Sequence, residues 1–329
     1  MEDLQSLVGI PRIWEKLNVV EERLLEASTA DDPYLTKIAQ HLLLAGGKRF
    51  RPLLALLAAE FGDAESGRPV EAGVSVELIH VGSLYHDDVI DEAATRRGAS
   101  SANANWTNTV AILAGDFLMA RASEVAATYL SQESVRLLAA TYAELVEGQT
   151  RELQLTDDLT HSLDDYQQVI GGKTASLIRT SARLGAMAAD ADKKTVEALS
   201  TWAFEVGMVF QIADDALDLV ADEETIGKPA GSDIREGTFT GPVLRAVNGP
   251  DGERVKELLE SGRPYSDETV AEIIDLVTGG GHIDKALDTA RTRLTIADSA
   301  LATLPKSKPK SILENLGAYL LERVDAARG

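Results

Sequence analysis

The positions of the prolines constrain the fold of this chain more than any other feature of its sequence. All ten lie at or before Pro69 or at or after Pro229, so residues 70–228 contain none. Because proline breaks helices and this stretch is rich in Ala, Leu, Glu, Arg and Gln, it can form long helices. Apolar residues recur there at spacings of three and four, as in Val135, Leu138, Ala139, Tyr142, Leu145 and Val146. Sustained period-two alternation is hard to find, so the sequence predicts an all-α fold.

Short turn-forming stretches separate the predicted helices. They are "DDP" at 31–33, "SGRP" at 66–69 and "NGPDG" at 248–252, and none of them is a linker. The sequence contains no low-complexity tract and no convincing fixed-period repeat. We therefore expect residues 1–329 to form a single all-α domain.

Charge and composition exclude several classes of protein. The 329 residues carry a formal net charge of -21, which is unsuited to neutralising a nucleic-acid backbone, so no nucleic-acid partner is expected. The chain has no cysteine, which excludes disulfides and thiolate metal sites. The N-terminal stretch "MEDLQSLVGIPRIWEKL" lacks the basic and apolar regions of a secretory signal, and the apolar runs are too short to span a bilayer. We expect a cytoplasmic protein.

Two aspartate clusters share the spacing Asp-Asp-x-x-Asp. The first is Asp87, Asp88 and Asp91, and the second is Asp214, Asp215 and Asp218. In a helix the first and last members of each cluster share a face, about 6 Å apart along the axis. Both clusters lie among apolar residues, where unpaired carboxylates are costly, so we infer cations beside them. Ligands that are all oxygen and leave room for a substrate phosphate are typical of Mg²⁺.

Two other interpretations of these clusters fit less well than a magnesium site. A single Asp-Asp-x-x-Asp on an acidic chain would more often be a solvated helix face, but two copies favour a shared function. A di-iron helical bundle normally needs Glu-x-x-His pairs. Neither cluster has that spacing, since His80 and His86 both precede the first cluster and the second has no histidine near it.

Short cationic stretches stand out against the acidic total. Four follow or precede glycines: "GGKRFRP" at 46–52, "TRRG" at 95–98, "GGKTASL" at 171–177 and "GKPAGSDIREG" at 227–237. Glycine lets a phosphate approach the backbone, and arginine supplies a planar fork that suits phosphate oxygens. Each stretch alone could be a turn with an exposed charge, but together with two Mg²⁺-type clusters they predict a diphosphate site. A P-loop is excluded because Gln167 occupies the place of its first glycine.

In combination these motifs resemble those of the trans-polyprenyl diphosphate synthase family, in order from about residue 40 to about 245. The matching stretches are "GGKRFRP", "HVGSLYHDDVIDEAATRRG", "GDFLMARA", "GGKTASL", "FQIADDALDL" and "GKPAGSDIREG". The resemblance implies an all-α bundle around a deep central cavity, usually a homodimer. It also implies an Mg²⁺-dependent enzyme that joins isopentenyl diphosphate to an allylic diphosphate.

The resemblance also implies roles for individual residues. Direct Mg²⁺ ligands are Asp87, Asp91 and Asp214, with Asp88, Asp215 and Asp218 as ligands or outer-shell partners. Isopentenyl diphosphate contacts are Lys48, Arg51, His80 and Arg97. Allylic diphosphate contacts are Arg96, Lys173, Gln211 and Lys228, with Thr174 beside them. We expect Asp87, Asp88, Asp91, Lys173, Asp214 and Asp215 to be the catalytic set. Thr238 stands where many members have lysine, so one allylic phosphate contact is predicted to be missing.

Two small residues on the helix of the first cluster bear on product length. Gly82 and Ser83 precede Asp87 by five and four residues. In the family these positions wall the cavity, and bulky residues there shorten the product, so the small pair predicts a medium- or long-chain product such as a quinone side-chain precursor. The alternative is that Gly82 only permits close helix packing and that another helix limits the product.

Other functions share part of this pattern with chain elongation. A short-chain farnesyl or geranylgeranyl diphosphate synthase would share every motif, and a non-catalytic subunit of a heteromeric synthase could dispense with the metal ligands. A terpene cyclase needs only one diphosphate, whereas "GGKRFRP" with "TRRG" indicates a second diphosphate site. His86 is interpreted as a structural hydrogen-bonding residue. Membrane contact is expected to be at most transient, for product release.

Overall fold

The computed structural model describes residues 2–221 and 229–328, which are almost entirely helical. This confirms the all-α fold class. The helices of the described residues, numbered in chain order, are α1 Glu2–Leu7, α2 Pro11–Ala27, α3 Pro33–Ala39, α4 His41–Leu44, α5 Phe50–Ala59, α6 Arg68–Ile90, α7 Ala102–Asn105, α8 Asn108–Tyr129, α9 Gln132–Leu155, α10 Leu163–Ile170, α11 Ser176–Ala188, α12 Lys193–Val220, α13 Ser232–Glu236, α14 Gly241–Val247, α15 Gly252–Glu260, α16 Asp267–Gly279, α17 His282–Ala302 and α18 Lys308–Arg328. A π-helical segment, Gly171–Ala175, joins α10 to α11.

The chain divides into two compact units. Unit 1 comprises residues 1–142, 177–200 and 307–312, and unit 2 comprises residues 143–176, 201–306 and 313–329. The helices α9, α12 and α18 each contribute residues to both. The expectation of a single domain stays a prediction.

Unit 1 is built around two helices, α5 and α6. Every residue of α5 from Pro52 to Ala59 is buried, as expected for a helix that is apolar on all sides. The longer α6 packs against α2, α5 and α8. Its closest approach to α8 is made by glycines: a Cβ at Gly115 would lie 3.0 Å from the carbonyl oxygen of Gly82. The packing fixes α6 and therefore fixes the aspartates at its C-terminal end.

The small sheet of unit 1 was not expected from the sequence. β1 (Thr95–Arg96) pairs antiparallel with β2 (Ala99–Ser100), with Thr95 opposite Ser100. The two turn residues, Arg97 and Gly98, have φ values of 55° and 75°. Positive φ at both central positions is the type I′ turn that suits a tight hairpin. The hairpin therefore presents two adjacent arginines, one on a strand and one at the turn.

Unit 2 is organised around the short helix α14. Six of its seven residues are buried, and it packs against α10, α15, α16 and α17. The π-helical segment lies against α9, where a Cβ at Gly148 would come within 2.5 Å of the backbone nitrogen of Lys173. Only glycine permits that contact, so the backbone of "GGKT" is held directly against α9.

Among the described residues, none of the helices has the length and apolar character needed to cross a membrane.

Candidate functional site

The first aspartate cluster ends α6 and divides into outward and inward side chains. Asp87 is half-buried and Asp91, the C-cap residue of α6, is exposed. Asp88 is 0% exposed. Because residues four apart share a helix face, Asp87 and Asp91 present two accessible carboxylates from one side, while Asp88 faces the interior of unit 1.

The buried Asp88 pairs with an arginine of the hairpin. Arg96 Nε donates to Asp88 Oδ1 at 2.6 Å, and within the described part of the chain Asp88 Oδ2 is buried with no hydrogen-bond partner. Burial raises the pKa of the Asp88 carboxyl above its usual value, and the bond from Arg96 opposes that shift. The geometry therefore supports an outer-shell role for Asp88, since its one bonded oxygen is committed to Arg96.

The neighbouring Arg97 is anchored to the glycine-rich loop. Its Nη1 donates to the carbonyl oxygen of Leu42 at 3.0 Å and to that of Gly46. Gly47, at φ 148°, brings the loop backbone against two guanidinium groups: a Cβ there would lie 3.0 Å from Arg97 Cζ and 3.1 Å from Arg49 Nη1. The glycines of "GGKR" thus allow backbone oxygens to orient arginine side chains.

A buried glutamate balances the charge of this arginine group. Glu77, on α6 and 1% exposed, accepts from Arg49 Nη1 at 3.1 Å and lies 3.9 Å from Arg97 Nη2. Burial raises the pKa of Glu77, and Arg49, Arg51 and Arg97 oppose that shift. Burial also lowers the pKa of Arg51 to about 10, so its guanidinium stays charged at neutral pH.

His80 lies in the same environment. Burial lowers its pKa well below the usual value, and the nearby positive charges of Arg51 and Arg97 lower it further. The imidazole is therefore neutral at pH 7. Seven residues, about two turns, separate His80 from Asp87 on α6, which places both on one face. The structure thus brings together Arg51, His80 and Arg97, three of the four predicted isopentenyl diphosphate contacts, and the fourth, Lys48, is exposed on the adjoining loop.

Arg49 lies in the cationic stretch "GGKRFRP" but received no individual role from the sequence, and Glu77 was not recognised at all. Arg49 is 4% exposed and makes two bonds to Glu21, at 2.6 and 3.0 Å, in addition to its bond to Glu77. It therefore faces the protein and anchors the loop. For Glu77 the available signal was a single charged residue within the otherwise uncharged stretch of α6 at 72–79.

The second aspartate cluster repeats the division into outward and inward carboxylates. On α12, Asp214 is exposed, whereas Asp215 and Asp218 are each 2% exposed. Asp215 accepts two hydrogen bonds, from Tyr166 Oη to Oδ2 at 2.5 Å and from Gln211 Nε2 to Oδ1 at 2.8 Å. Burial, and then the charge of Asp233, raise the pKa of Asp215 well above its usual value, while the bonds from Tyr166 and Gln211 lower it. The geometry supports an outer-shell role for Asp215.

Three of the predicted allylic diphosphate contacts are placed together in unit 2. Thr174 Oγ1 donates to Gln211 Oε1 at 2.8 Å, and the ammonium of Lys173 pairs with Glu152 of α9. Lys173 and Thr174 lie on the π-helical segment, a backbone form that is frequent at functional sites. Glu152 and Tyr166 were not selected from the sequence, because their partners are far away along the chain.

Asp218 accepts hydrogen bonds from the backbone of Gly231 and Asp233. Its Oδ2 accepts from the backbone nitrogen of Asp233 at 3.2 Å, and its carbonyl oxygen accepts from that of Gly231 at 2.8 Å. The backbone of "GSDIREG" is therefore tied to the second cluster. Lys228 lies outside the described residues. Thr238, which stands where many family members have lysine, donates its backbone N–H to Asp233.

Gly82 and Ser83 differ in their surroundings. A Cβ at Gly82 would lie 3.0 Å from Met119 Cε and 3.1 Å from the carbonyl oxygen of Gly115, both on α8. This supports the alternative that Gly82 permits close packing of α6 on α8. Ser83 is buried, and its hydroxyl donates to the carbonyl oxygen of His80 at 2.8 Å.

His86 contacts α8 as well. Its Nε2 lies 3.3 Å from both the carbonyl oxygen of Ile112 and Asp116 Oδ1. These contacts support the interpretation of His86 as a structural hydrogen-bonding residue.

The accessible carboxylates fit a hard divalent cation that is completed by other ligands. Within the described parts of the chain, no three His, Asp or Glu side chains converge into a protein-only metal cage. Asp87 and Asp91 in unit 1 and Asp214 in unit 2 supply accessible oxygen ligands. Mg²⁺ is commonly held by one or two carboxylates, with waters and substrate phosphates supplying the rest. The residues present therefore fit Mg²⁺.

Comparison with known proteins gives a consistent result. The family model described as polyprenyl synthetase matches residues 32–277. The nonaprenyl diphosphate synthase of Mycobacterium tuberculosis is 42% identical over 295 residues, covering 89% of this chain and 88% of its own. Component 2 of the heptaprenyl diphosphate synthase of Bacillus subtilis is 35% identical over 323 residues, covering 98% and 92%.

A solved structure is similar over nearly the whole chain. The geranylgeranyl pyrophosphate synthase of Corynebacterium glutamicum, in complex with calcium and isoprenyl diphosphate, has a TM-score of 0.85 and 42% sequence identity. The match covers 95% of this chain and 96% of that one.

The Asp88–Arg96 pair leads to a prediction about stability. Replacing Arg96 by Gln leaves the buried Asp88 carboxylate without its cation, so Arg96→Gln should lower the free energy of unfolding by about 2 kcal/mol. In the Asp88→Asn background the same substitution should cost much less, which gives a coupling of about 1 kcal/mol or more in a double-mutant cycle. Denaturant unfolding measures all four proteins.

The control for this cycle is Arg254→Gln. Arg254 forms exposed ion pairs with Glu257 and Glu272, and its replacement should leave the unfolding midpoint nearly unchanged. Strictly additive losses from Arg96→Gln and Asp88→Asn would contradict the assignment.

Proposed function

The chain belongs to the polyprenyl synthetase family, and on that premise we propose that it is an Mg²⁺-dependent trans-prenyltransferase. It joins isopentenyl diphosphate head to tail to an allylic diphosphate, farnesyl or geranylgeranyl diphosphate, and makes a medium- or long-chain polyprenyl diphosphate. The product is proposed to be a quinone side-chain precursor. The observation that carries the proposal is the arrangement in unit 1, where the accessible Asp87 and Asp91 end the same helix that carries His80 toward Arg51 and Arg97.

The residues of unit 1 suit the diphosphate of isopentenyl diphosphate. Arg51 and Arg97 are charged donors, and Arg97 is already oriented by two backbone carbonyls. His80 is neutral and can donate one hydrogen bond without adding charge. Lys48 extends from the adjoining loop and adds a mobile point charge. Together they hold the diphosphate and leave the carbon end of the substrate free to react.

The allylic diphosphate is proposed to contact Arg96, Lys173, Gln211 and Lys228, with Thr174 beside them. When bound at Asp87, Asp91 and Asp214, Mg²⁺ supplies charge stabilisation to a diphosphate leaving group. The side chains Arg96 and Lys173 are charged donors that stabilise negative charge as it develops there. Lacking a lysine at Thr238, the chain offers one phosphate contact fewer, which would raise the KM for the allylic substrate without abolishing turnover.

The bond changes follow from these contacts. The allylic C–O bond breaks, and its electron pair leaves with the diphosphate. The double bond of isopentenyl diphosphate then supplies the pair that forms the new C–C bond, and a proton is lost from the product carbon chain. The lowered pKa of His80 makes it a weak base and His86 is held against α8, so the departing diphosphate is proposed as the acceptor of that proton.

The reaction and the product length are tested together. Purified protein is incubated with Mg²⁺, isopentenyl diphosphate and, separately, geranyl, farnesyl and geranylgeranyl diphosphates, and the products are sized by mass spectrometry. We expect elongation from farnesyl or geranylgeranyl diphosphate to medium or long chains, and its loss when EDTA removes the metal.

Other outcomes of this assay would assign other functions. Products that stop at farnesyl or geranylgeranyl diphosphate would indicate a short-chain synthase, which is the alternative favoured by the 42% identity to the geranylgeranyl pyrophosphate synthase. Mg²⁺-dependent substrate binding without elongation would indicate a subunit of a heteromeric synthase, as the name of the B. subtilis component suggests for that protein.

Ser83 and Gly82 are proposed to influence product length in different ways. A phenylalanine at Ser83, one turn before Asp87, should shorten the product, whereas Ser83→Ala should leave its length unchanged. Gly82→Phe would press against the backbone of Gly115 on α8 and should chiefly lower the melting temperature. Mass spectrometry and thermal unfolding of the three variants separate the two effects. An unchanged product in a folded Ser83→Phe enzyme would refute its role as a wall.

A homodimer is proposed, and one face of α8 supports it. Ile112 and Leu113 are 42% and 58% exposed, and Ala120 and Ala127 continue the exposed face along the helix. Small apolar residues allow a helix of a second copy to approach closely, and covering these side chains removes apolar area from water. A cytoplasmic location and transient membrane contact during product release stay predictions.

The oligomeric state is measured by sedimentation. Leu113→Glu would place a charge in the proposed contact and should convert the dimer to a monomer. Val19→Glu, at a residue of α2 that is 44% exposed, is the matched control and should leave the dimer intact. A wild-type chain that sediments as a monomer would reject the homodimer.

A further inference from the structure

Tyr166 is held rigidly in unit 2. It lies on α10, whose first turn is fixed by a capping box between Ser162 and Asp165. Its side chain is buried, and the ring packs against Gly241, where a Cβ would lie only 3.0 Å from Tyr166 Cε1. Backbone and ring are both constrained, so the hydroxyl is presented at a defined position.

The Tyr166 hydroxyl is directed at the buried carboxylate of Asp215. Tyr166 Oη donates to Asp215 Oδ2 at 2.5 Å, across 49 residues of sequence. Asp215 is 2% exposed, so its oxygens must find donors within the protein. Gln211 Nε2 donates to the other oxygen, Oδ1, at 2.8 Å. The carboxylate is thus held from two sides, and Tyr166 is the partner that fixes its rotation.

The series of hydrogen bonds continues from Asp215 through Gln211 to Thr174. Because Gln211 turns its NH₂ group to Asp215, its Oε1 faces the other way and accepts from Thr174 Oγ1 at 2.8 Å. Thr174 commits its only hydroxyl hydrogen to this bond, so only its oxygen lone pairs remain for a further partner. Each hydrogen bond in the series Tyr166, Asp215, Gln211 and Thr174 therefore determines whether the next residue has a donor or an acceptor left for a further partner.

We propose that Tyr166 is a positioning residue for the allylic diphosphate subsite, acting through Asp215 on Gln211 and Thr174. This inference rests on the proposed function. Tyr166 touches no substrate. Its hydroxyl fixes the orientation of Asp215, the carboxylate fixes the direction of the Gln211 amide, and the amide fixes the Thr174 hydroxyl. Nothing in this chain of bonds includes the isopentenyl diphosphate contacts of unit 1.

Loss of the hydroxyl has a defined consequence. Phenylalanine keeps the ring that packs on Gly241 but leaves Asp215 Oδ2 buried without this donor. The carboxylate is then stabilised by rotating toward other donors, including the NH₂ group of Gln211. As a result, the side chains of Gln211 and Thr174 no longer have a single orientation. An outer-shell change of this kind typically costs about 10- to 100-fold in function.

The test is Tyr166→Phe in the full-length enzyme, assayed with both substrates varied. We expect kcat/KM for the allylic diphosphate to fall about tenfold, by analogy with other outer-shell changes. The KM for isopentenyl diphosphate should change by less than about twofold, because its contacts are separate from the chain. The matched control is Tyr265→Phe, which also removes a buried tyrosine hydroxyl in unit 2, bonded at 2.9 Å to the carbonyl of Leu259. It should leave both kinetic parameters unchanged.

A double-mutant cycle with Asp215→Asn shows whether Tyr166 acts through the carboxylate. If it does, adding Tyr166→Phe to Asp215→Asn should cost almost nothing further, whereas independent effects would multiply. The inference would be overturned by equal losses of kcat/KM for both substrates, or by effects of the two substitutions that multiply. It would also be overturned by a Tyr166→Phe protein that melts far below Tyr265→Phe and is inactive with every substrate. A wild-type enzyme that elongates no allylic primer would instead reject the proposed function.

Discussion

Burial of the second carboxylate of each aspartate motif is the constraint on which both candidate sites depend. In a helix the second aspartate of Asp-Asp-x-x-Asp cannot share the face of the first and fifth residues, so it is directed elsewhere. Here it is directed inward, at Asp88 and Asp215. A buried carboxylate is stable only with donors, and those donors come from distant segments: the hairpin arginine in unit 1, and Tyr166 and Gln211 in unit 2. The motif therefore also organises the residues proposed to bind diphosphate.

The arginine group of unit 1 also needs partners from distant segments, but here the charges that need them are positive. Clustered guanidinium groups repel one another, and burial weakens their hold on a proton, as the lowered pKa of Arg51 shows. Glu77 and backbone carbonyls of the glycine-rich loop compensate for this without occupying the exposed side of the group. The arginines can thus be held in place for an anion before it binds, because Glu77 and the loop carbonyls stabilise them from the protein side.

The sequence predicted the features that depend on local pattern, and it missed those that depend on distant partners. Helical periodicity and the proline-free middle were enough for the all-α fold, and the spacing of Asp87, Asp88 and Asp91 was enough to place carboxylates together. The hairpin escaped notice because two-residue strands leave no periodicity, although Arg97 and Gly98 carry its turn. Glu77 and Tyr166 escaped because their partners are 28 and 49 residues away. The small size of Gly82 suggested space, whereas α8 fills it.

Asp88 and Asp215, the second aspartates of the two motifs, differ in the kind of partner they have, and this difference bears on how each cluster attracts a cation. Asp88 is bonded to a guanidinium, so that pair is close to neutral and the outward charge of the first cluster comes from Asp87 and Asp91. The hydrogen-bond donors to Asp215 are neutral, a phenol and an amide, and Asp233 adds negative charge nearby. Neutral donors stabilise a carboxylate without cancelling its charge. The outward charge of the second cluster therefore comes from the exposed Asp214, while Asp215, whose pKa is raised well above its usual value, is held by its hydrogen bonds to Tyr166 and Gln211.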